Sequence, residues 1–297
     1  MLKSSLIIFS VLVTIILSLF VFPFYNPDSG NSEQNGKLTV TVTIYPTYDI
    51  VKNIAGDKVN LFQIIPFGRE PHSFEPTPKD IIRISNSQLF IYTGMSVDSW
   101  AINLGDMAKK RDKFIKLADS SKIIDNDPHF WLDTENFKNM ATKISENIMK
   151  LDPINQKFYQ ANLTKYLKKL DRLNSDYQNG LNSCKLDSII VNHNAFKYLE
   201  RAYNFRSFAV MGISPDDKPS AKALADIVDI VKEKNVSTIF FEELVSSNVI
   251  DTIANETGVE VSSLSPLGNI APEQVKIGYI NLMYKNLDRL KEALICQ

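Results

Sequence analysis

Only three histidines occur in this sequence, and the imidazole side chain is a common ligand of transition-metal ions. His72 lies in a Pro-rich segment, His129 in a loop ahead of a helical segment, and His193 just after the apolar residues 189–191. Ligands of open α/β sheets bind at the carboxyl ends of strands, where two of these histidines fall. A single histidine most often lies at the surface or forms hydrogen bonds in the core. The spacing of the three histidines in the sequence does not by itself show that they meet at one point.

Composition removes several classes of function. The chain of 297 residues has 33 Lys and Arg against 34 Asp and Glu, without a basic run carrying interleaved aromatics, so we expect no nucleic-acid partner. Its 11 glycines form neither a P-loop nor a G-x-G-x-x-G segment, which argues against nucleotide binding. The H-E-x-x-H and G-x-S-x-G spacings of zinc proteases and serine hydrolases are absent as well.

The N-terminal residues have the pattern of an export signal. Lys3 precedes an almost unbroken apolar run over residues 6–22, which predicts a signal peptide or an uncleaved signal anchor in residues 1–25. In the second case, residues 5–22 would anchor the chain in the membrane. Residues 26–36 lack apolar content and are predicted to be a flexible linker.

The only two cysteines are Cys184 and Cys296. No cysteine precedes Cys184, so the sequence offers no site for a lipid-modified N-terminal cysteine. An even count in an exported protein favours a disulfide bond, and two free, partly buried thiols are the alternative.

Strand-like and helix-like segments alternate from residue 37, which predicts an α/β fold with mostly parallel sheets. The strand candidates share short runs of β-branched or aromatic residues: 38–45, 61–66, 89–92, 188–191, 237–241 and 260–264. Residues 155–183 instead carry apolar residues at steps of three and four, the pattern of one helix roughly 43 Å long. We interpret this helix as a spine packed on two lobes, with a coiled-coil arm as the alternative.

Several spaced motifs resemble the cluster A-I (cluster 9) metal-receptor family of ABC importers, over most of residues 38–271. The motifs are residues 44–57 (IYPTYDIVKNIAGD), 71–78 (PHSFEPTP), 127–133 (DPHFWLD), 193–199 (HNAFKYL), 212–215 (GISP), 219–222 (PSAK) and 239–242 (IFFE). The resemblance implies two α/β lobes joined by one long spine helix. We therefore expect an N-terminal lobe over 37–150, the spine over 151–184 and a C-terminal lobe over 185–297.

The resemblance also implies a metal site. His72 and His129 would come from the N-terminal lobe and His193 from the C-terminal lobe. Relatives often add an aspartate as fourth ligand, but Ser265 stands at that position here. A water molecule, Glu70 or Ser265 remains as the fourth ligand.

The ligand types favour zinc. Manganese receptors of this family have a glutamate at position 193, whereas three imidazole nitrogens suit Zn²⁺ better than Mn²⁺, which prefers oxygen ligands. Mn²⁺ remains the alternative metal. Asp127 and Asn192 are the candidates to accept hydrogen bonds from the ligand imidazoles.

By this resemblance the chain is an exported, monomeric receptor at the periplasmic or extracytoplasmic face of the membrane. It would capture Zn²⁺ and deliver it to an ABC permease in the inner membrane, with no enzymatic activity. The alternatives from other classes are a zinc-dependent hydrolase, with Glu70 as general base, and a surface adhesin.

Overall fold

The computed structural model describes residues 36–107, 113–243 and 248–297. The predicted signal segment and all of the predicted linker except Gly36 lie outside these residues. Among the helices of the described ranges, none has the length and apolar character needed to cross a membrane.

Eight strands form two four-stranded parallel sheets with the same order. The first sheet has the order β2-β1-β3-β4 and the second has the order β6-β5-β7-β8. The strands are β1 Leu38–Val42, β2 Val59–Gln63, β3 Leu89–Tyr92, β4 Phe114–Lys116, β5 Ser188–Val191, β6 Arg206–Ala209, β7 Thr238–Phe241 and β8 Glu260–Ser263. Parallel strands need crossover connections, and helices supply most of them.

The helices are α1 Tyr45–Ala55, α2 Pro78–Asn86, α3 Ser99–Met107, α4 Thr134–Leu151, α5 Gln156–Leu181, α6 Lys197–Tyr203, α7 Ala221–Glu233, α8 Asn248–Thr257 and α9 Tyr279–Ala293. The predicted α/β fold, with two parallel-sheet lobes and one long helix, is confirmed. The exact domain limits stay a prediction.

Helix α5 is the predicted spine and the longest helix of the described part of the chain, at 26 residues. The predicted apolar stripe is its buried face: Tyr159, Leu163, Tyr166, Leu170, Leu173, Tyr177 and Leu181. These side chains belong to one apolar cluster that contains residues of both sheets, including Val40 and Ile189. Residues 38–297 accordingly form one compact unit.

The two cysteines form a disulfide bond across a sequence separation of 112 residues. The bond joins the segment after α5 to the segment after α9. Main-chain hydrogen bonds from Lys185 to the carbonyl of Ile295 and from Gln297 to that of Ser183 flank it. The bond thus fastens the chain's last helix to the end of the spine.

Two short strands have no counterpart in the sequence prediction. Strand β4 has only three residues, Phe-Ile-Lys, and β6 contains Arg206 and Ser207 with one aromatic residue. Each pairs with a fully buried strand, β3 or β5, so pairing with that neighbour rather than a local pattern determines its structure.

Candidate metal site

The three histidines approach one point from the ends of different strands. His72 follows β2, His129 follows β4, and His193 lies two residues beyond β5. Strand β7 pairs with β5, and Glu242 follows it directly. The carboxyl ends of these strands therefore supply the polar groups of a single site.

The Nε2 atom of His129 is the centre of the group. It lies 3.3 Å from Nε2 of His72 and 3.2 Å from Nε2 of His193. The ring centroids are 5.1 to 5.8 Å apart, and one ligand atom of each residue lies within 4.8 Å of the others. The structure thus brings together all three predicted ligands.

Carboxylates hold two of the rings from behind. The Nδ1 atom of His129 donates to Oδ1 of Asp127 at 2.8 Å, and Nδ1 of His193 donates to Oε1 of Glu242. A carboxylate can only accept, so the proton lies on Nδ1 and each Nε2 lone pair points toward the other rings. Both pairs are buried, with less than a tenth of each side chain exposed. Such carboxylate–histidine pairs orient metal ligands and raise their basicity.

His72 is held differently. Its side chain is half-buried, and among the described residues no carboxylate contacts its Nδ1 atom. Its main-chain N–H donates to Oε1 of Glu70 at 2.9 Å. The position of this ring therefore depends on the segment that carries it.

Burial keeps two of the rings neutral. It lowers the pKa of His72 to about 3, with a further contribution from His129 and His193. It also lowers the pKa of His129, against the opposing hydrogen bond to Asp127. Both rings are therefore unprotonated at neutral pH and need not lose a proton to bind a cation. Burial raises the pKa of the Glu70 carboxyl to about 7.

The pocket between the rings has a volume of about 30 Å³, and Glu70, Trp131 and Ser265 line part of it. Space for one water requires about 10–15 Å³, so this volume is enough for an ion with about one water. The carboxylate of Glu70 faces the His72 main chain. The Ser265 hydroxyl accepts from the N–H of Leu267 at 3.2 Å.

The structure corrects one expectation about the partners of the rings. Asp127 occupies the predicted position behind His129, but the buried Asn192 side chain has no hydrogen-bond partner among the described residues. Glu242 holds His193 instead. Its position directly after a strand, at the sheet edge that carries His193, is the signal that could have identified it.

A buried cluster of imidazoles between two parallel-sheet lobes on a helical spine defines a two-lobed metal-binding receptor. The model of the family "Zinc-uptake complex component A periplasmic" (ZnuA) matches residues 40–293, so the chain belongs to this family, as the sequence resemblance predicted.

Related proteins agree with this family. The high-affinity zinc uptake system protein ZnuA of Bacillus subtilis (strain 168) is 33% identical over 289 residues, covering 90% of this chain and 91% of that protein. The zinc-binding lipoprotein AdcA of Streptococcus pneumoniae serotype 4 is 30% identical over 95% of this chain, which spans only 60% of that longer protein. The crystal structure of the Zn(II)-bound ZnuA-like domain of Streptococcus pneumoniae AdcA superposes with a TM-score of 0.77 at 33% identity, covering 87% of this chain and 99% of that one.

Proposed function

We propose that this chain is the extracytoplasmic receptor of an ABC importer, which captures Zn²⁺ between its lobes and delivers it to a membrane permease. The convergence of three imidazole Nε2 atoms on one point carries the proposal. The Nε2 lone pairs of His129 and His193, 3.2 Å apart, repel one another unless a cation lies between them. The zinc-uptake relatives and the Zn(II)-bound neighbour support zinc as that cation.

The ligands of our proposal are His72, His129 and His193, with water in the fourth position. Glu70 and Ser265 are the less favoured fourth ligands, because their oxygens already accept main-chain N–H groups. Three nitrogens favour Zn²⁺ over Mn²⁺. Three neutral imidazoles do not balance the charge of the ion. The carboxylates of Asp127 and Glu242, which lie behind the rings of His129 and His193, supply the two negative charges.

We further propose that the chain acts as a monomer and has no enzymatic activity. The contacts of the site support this, because the Glu70 and Glu242 carboxylates, the candidates for a general base, accept hydrogen bonds from the His72 main chain and the His193 ring. Export by residues 1–25, or anchoring by residues 5–22, belongs to the same proposal, as does the permease partner. A surface adhesin remains the alternative function. No contact among the described residues favours it.

Metal competition tests the proposed function. We expect native mass spectrometry of the metal-stripped full-length chain, offered equal Zn²⁺ and Mn²⁺, to show one zinc per chain and little manganese. Binding of manganese at an equal or higher level would contradict the assignment to zinc. If the chain bound neither metal, the proposed receptor function would be contradicted.

The Glu242→Gln substitution should weaken zinc binding about ten- to hundredfold, because Glu242 orients His193 and balances the charge of the ion. Competition with a chromophoric chelator measures the affinity. Glu135→Gln is the matched control, since the exposed Glu135 carboxylate pairs with Lys138 rather than an imidazole and does not line the metal pocket. Equal affinities of the two variants would mean that the Glu242 carboxylate does not support the site.

A further inference from the structure

The segment after β8, residues 265–270, contacts both of the N-terminal segments that carry histidines. We call it the strap. Its first residue is fixed to the C-terminal half of the molecule: Asn286 of helix α9 accepts from the Ser265 N–H at 3.1 Å and donates to the Ser265 carbonyl at 2.7 Å. Asn286 is almost fully buried. The strap is thus anchored at its base on α9.

The middle of the strap lies against the His129 segment. The indole Nε1 of Trp131 donates to the Pro266 carbonyl at 2.7 Å, and the ring of Trp131 contacts that of His129, with centroids 5.3 Å apart. A side chain at Gly268 would approach the Trp131 ring to 3.2 Å, so a residue without Cβ permits this close packing.

The end of the strap holds the segment that leads to His72. Asn269 has 6% of its surface exposed, and its Nδ2 donates to the carbonyls of Pro66 and Arg69, at 2.7 Å each. Its Oδ1 accepts from the Ile270 N–H, and the Ile270 carbonyl accepts from the Gly68 N–H at 2.8 Å. One amide therefore fastens both ends of the turn over residues 66–69 to the strap.

His72 follows this turn by three residues. Because its Nδ1 lacks the carboxylate that holds each of the other two rings, its place depends on the main chain that carries it. The strap therefore secures the site through the segment that leads to His72.

We infer that Asn269 is a positioning residue that keeps His72 against the His129 and His193 pair, and so slows release of the bound metal. This inference rests on the proposed function. It implies an order of release: His72 leaves the ion first, and the ion then departs from the remaining pair.

The test is zinc release from the full-length chain, measured by stopped flow after mixing zinc-loaded protein with excess chromophoric chelator. Asn269→Ala removes the two hydrogen bonds to the turn, and also the one from the Ile270 N–H, and should speed release roughly ten- to thirtyfold. Asn269→Ser keeps one donor and should speed release about threefold. The matched control is Asn281→Ala, which removes an exposed amide-to-carbonyl hydrogen bond of 2.8 Å on helix α9.

A double-mutant cycle separates positioning from general loosening of the fold. In a His72→Ala background, Asn269→Ala should change the release rate by less than about twofold, because the residue that it positions is gone. An equal acceleration in both backgrounds would overturn the inference, as would unchanged release in Asn269→Ala. If Asn269→Ala does not fold, unchanged zinc release in Asn269→Ser would overturn the inference. Failure of the wild-type chain to bind zinc would instead contradict the proposed function.

Discussion

The His129→Ala chain should bind zinc more than about a hundredfold more weakly than the wild-type chain. Loss of a partner behind a ligand typically weakens metal binding ten- to hundredfold, and loss of the ligand itself should exceed that. His129 is the decisive position because its Nε2 lies next to the Nε2 atoms of both other rings. Chelator competition at pH 7.5 measures the change.

Two controls distinguish loss of the zinc ligand from unfolding of the variant. The metal-free His129→Ala chain should still unfold cooperatively, at a lower thermal midpoint because the buried Asp127 carboxylate loses its partner, and zinc should raise only the wild-type midpoint. Asn281→Ala, at the exposed surface of α9, should bind zinc as the wild type does. If His129→Ala kept wild-type affinity while folded, the proposed site would be wrong.

Replacing both cysteines, as Cys184→Ser with Cys296→Ser, should lower the free energy of unfolding by about 4–5 kcal/mol. The loop closed by the bond is long, with a sequence separation of 112 residues, so its loss gives the unfolded chain much conformational freedom. Denaturant unfolding of metal-free protein measures this difference. Zinc affinity should not change, because neither cysteine lines the metal pocket.

Reduction provides the control for this effect. A thiol reductant should destabilise the wild-type chain to the level of the double variant and leave the double variant unchanged. A loss below about 1 kcal/mol would show that the main-chain hydrogen bonds beside the bond, rather than the bond itself, hold the last helix to the spine.

The spine and six of the eight strands in the described residues could be predicted because each carries a strong local pattern. Seven buried residues of α5 repeat at helical spacing, and strands such as β3 and β5 are fully buried apolar runs. The three histidines were equally visible, because they are the only ones in the chain. Their segments also carried the family resemblance.

The remaining parts of the site depend on tertiary contacts between residues far apart in the chain. Glu242 contacts His193 because β5 and β7 are adjacent in the sheet. The sequence of neither strand shows that they are neighbours. Asn269 holds a turn about 200 residues earlier in the sequence. The side chain of Asn192, although next to His193, has no hydrogen-bond partner in the described residues, so adjacency in sequence was a poor guide.

The central claim is that three imidazoles surround one zinc ion. X-ray absorption at the zinc edge of the zinc-loaded full-length chain tests it most directly. We predict four light scatterers at about 2.0–2.1 Å, with the multiple-scattering pattern of three imidazoles and one water oxygen. A sulfur shell near about 2.3 Å, or two imidazoles or fewer, would contradict the account.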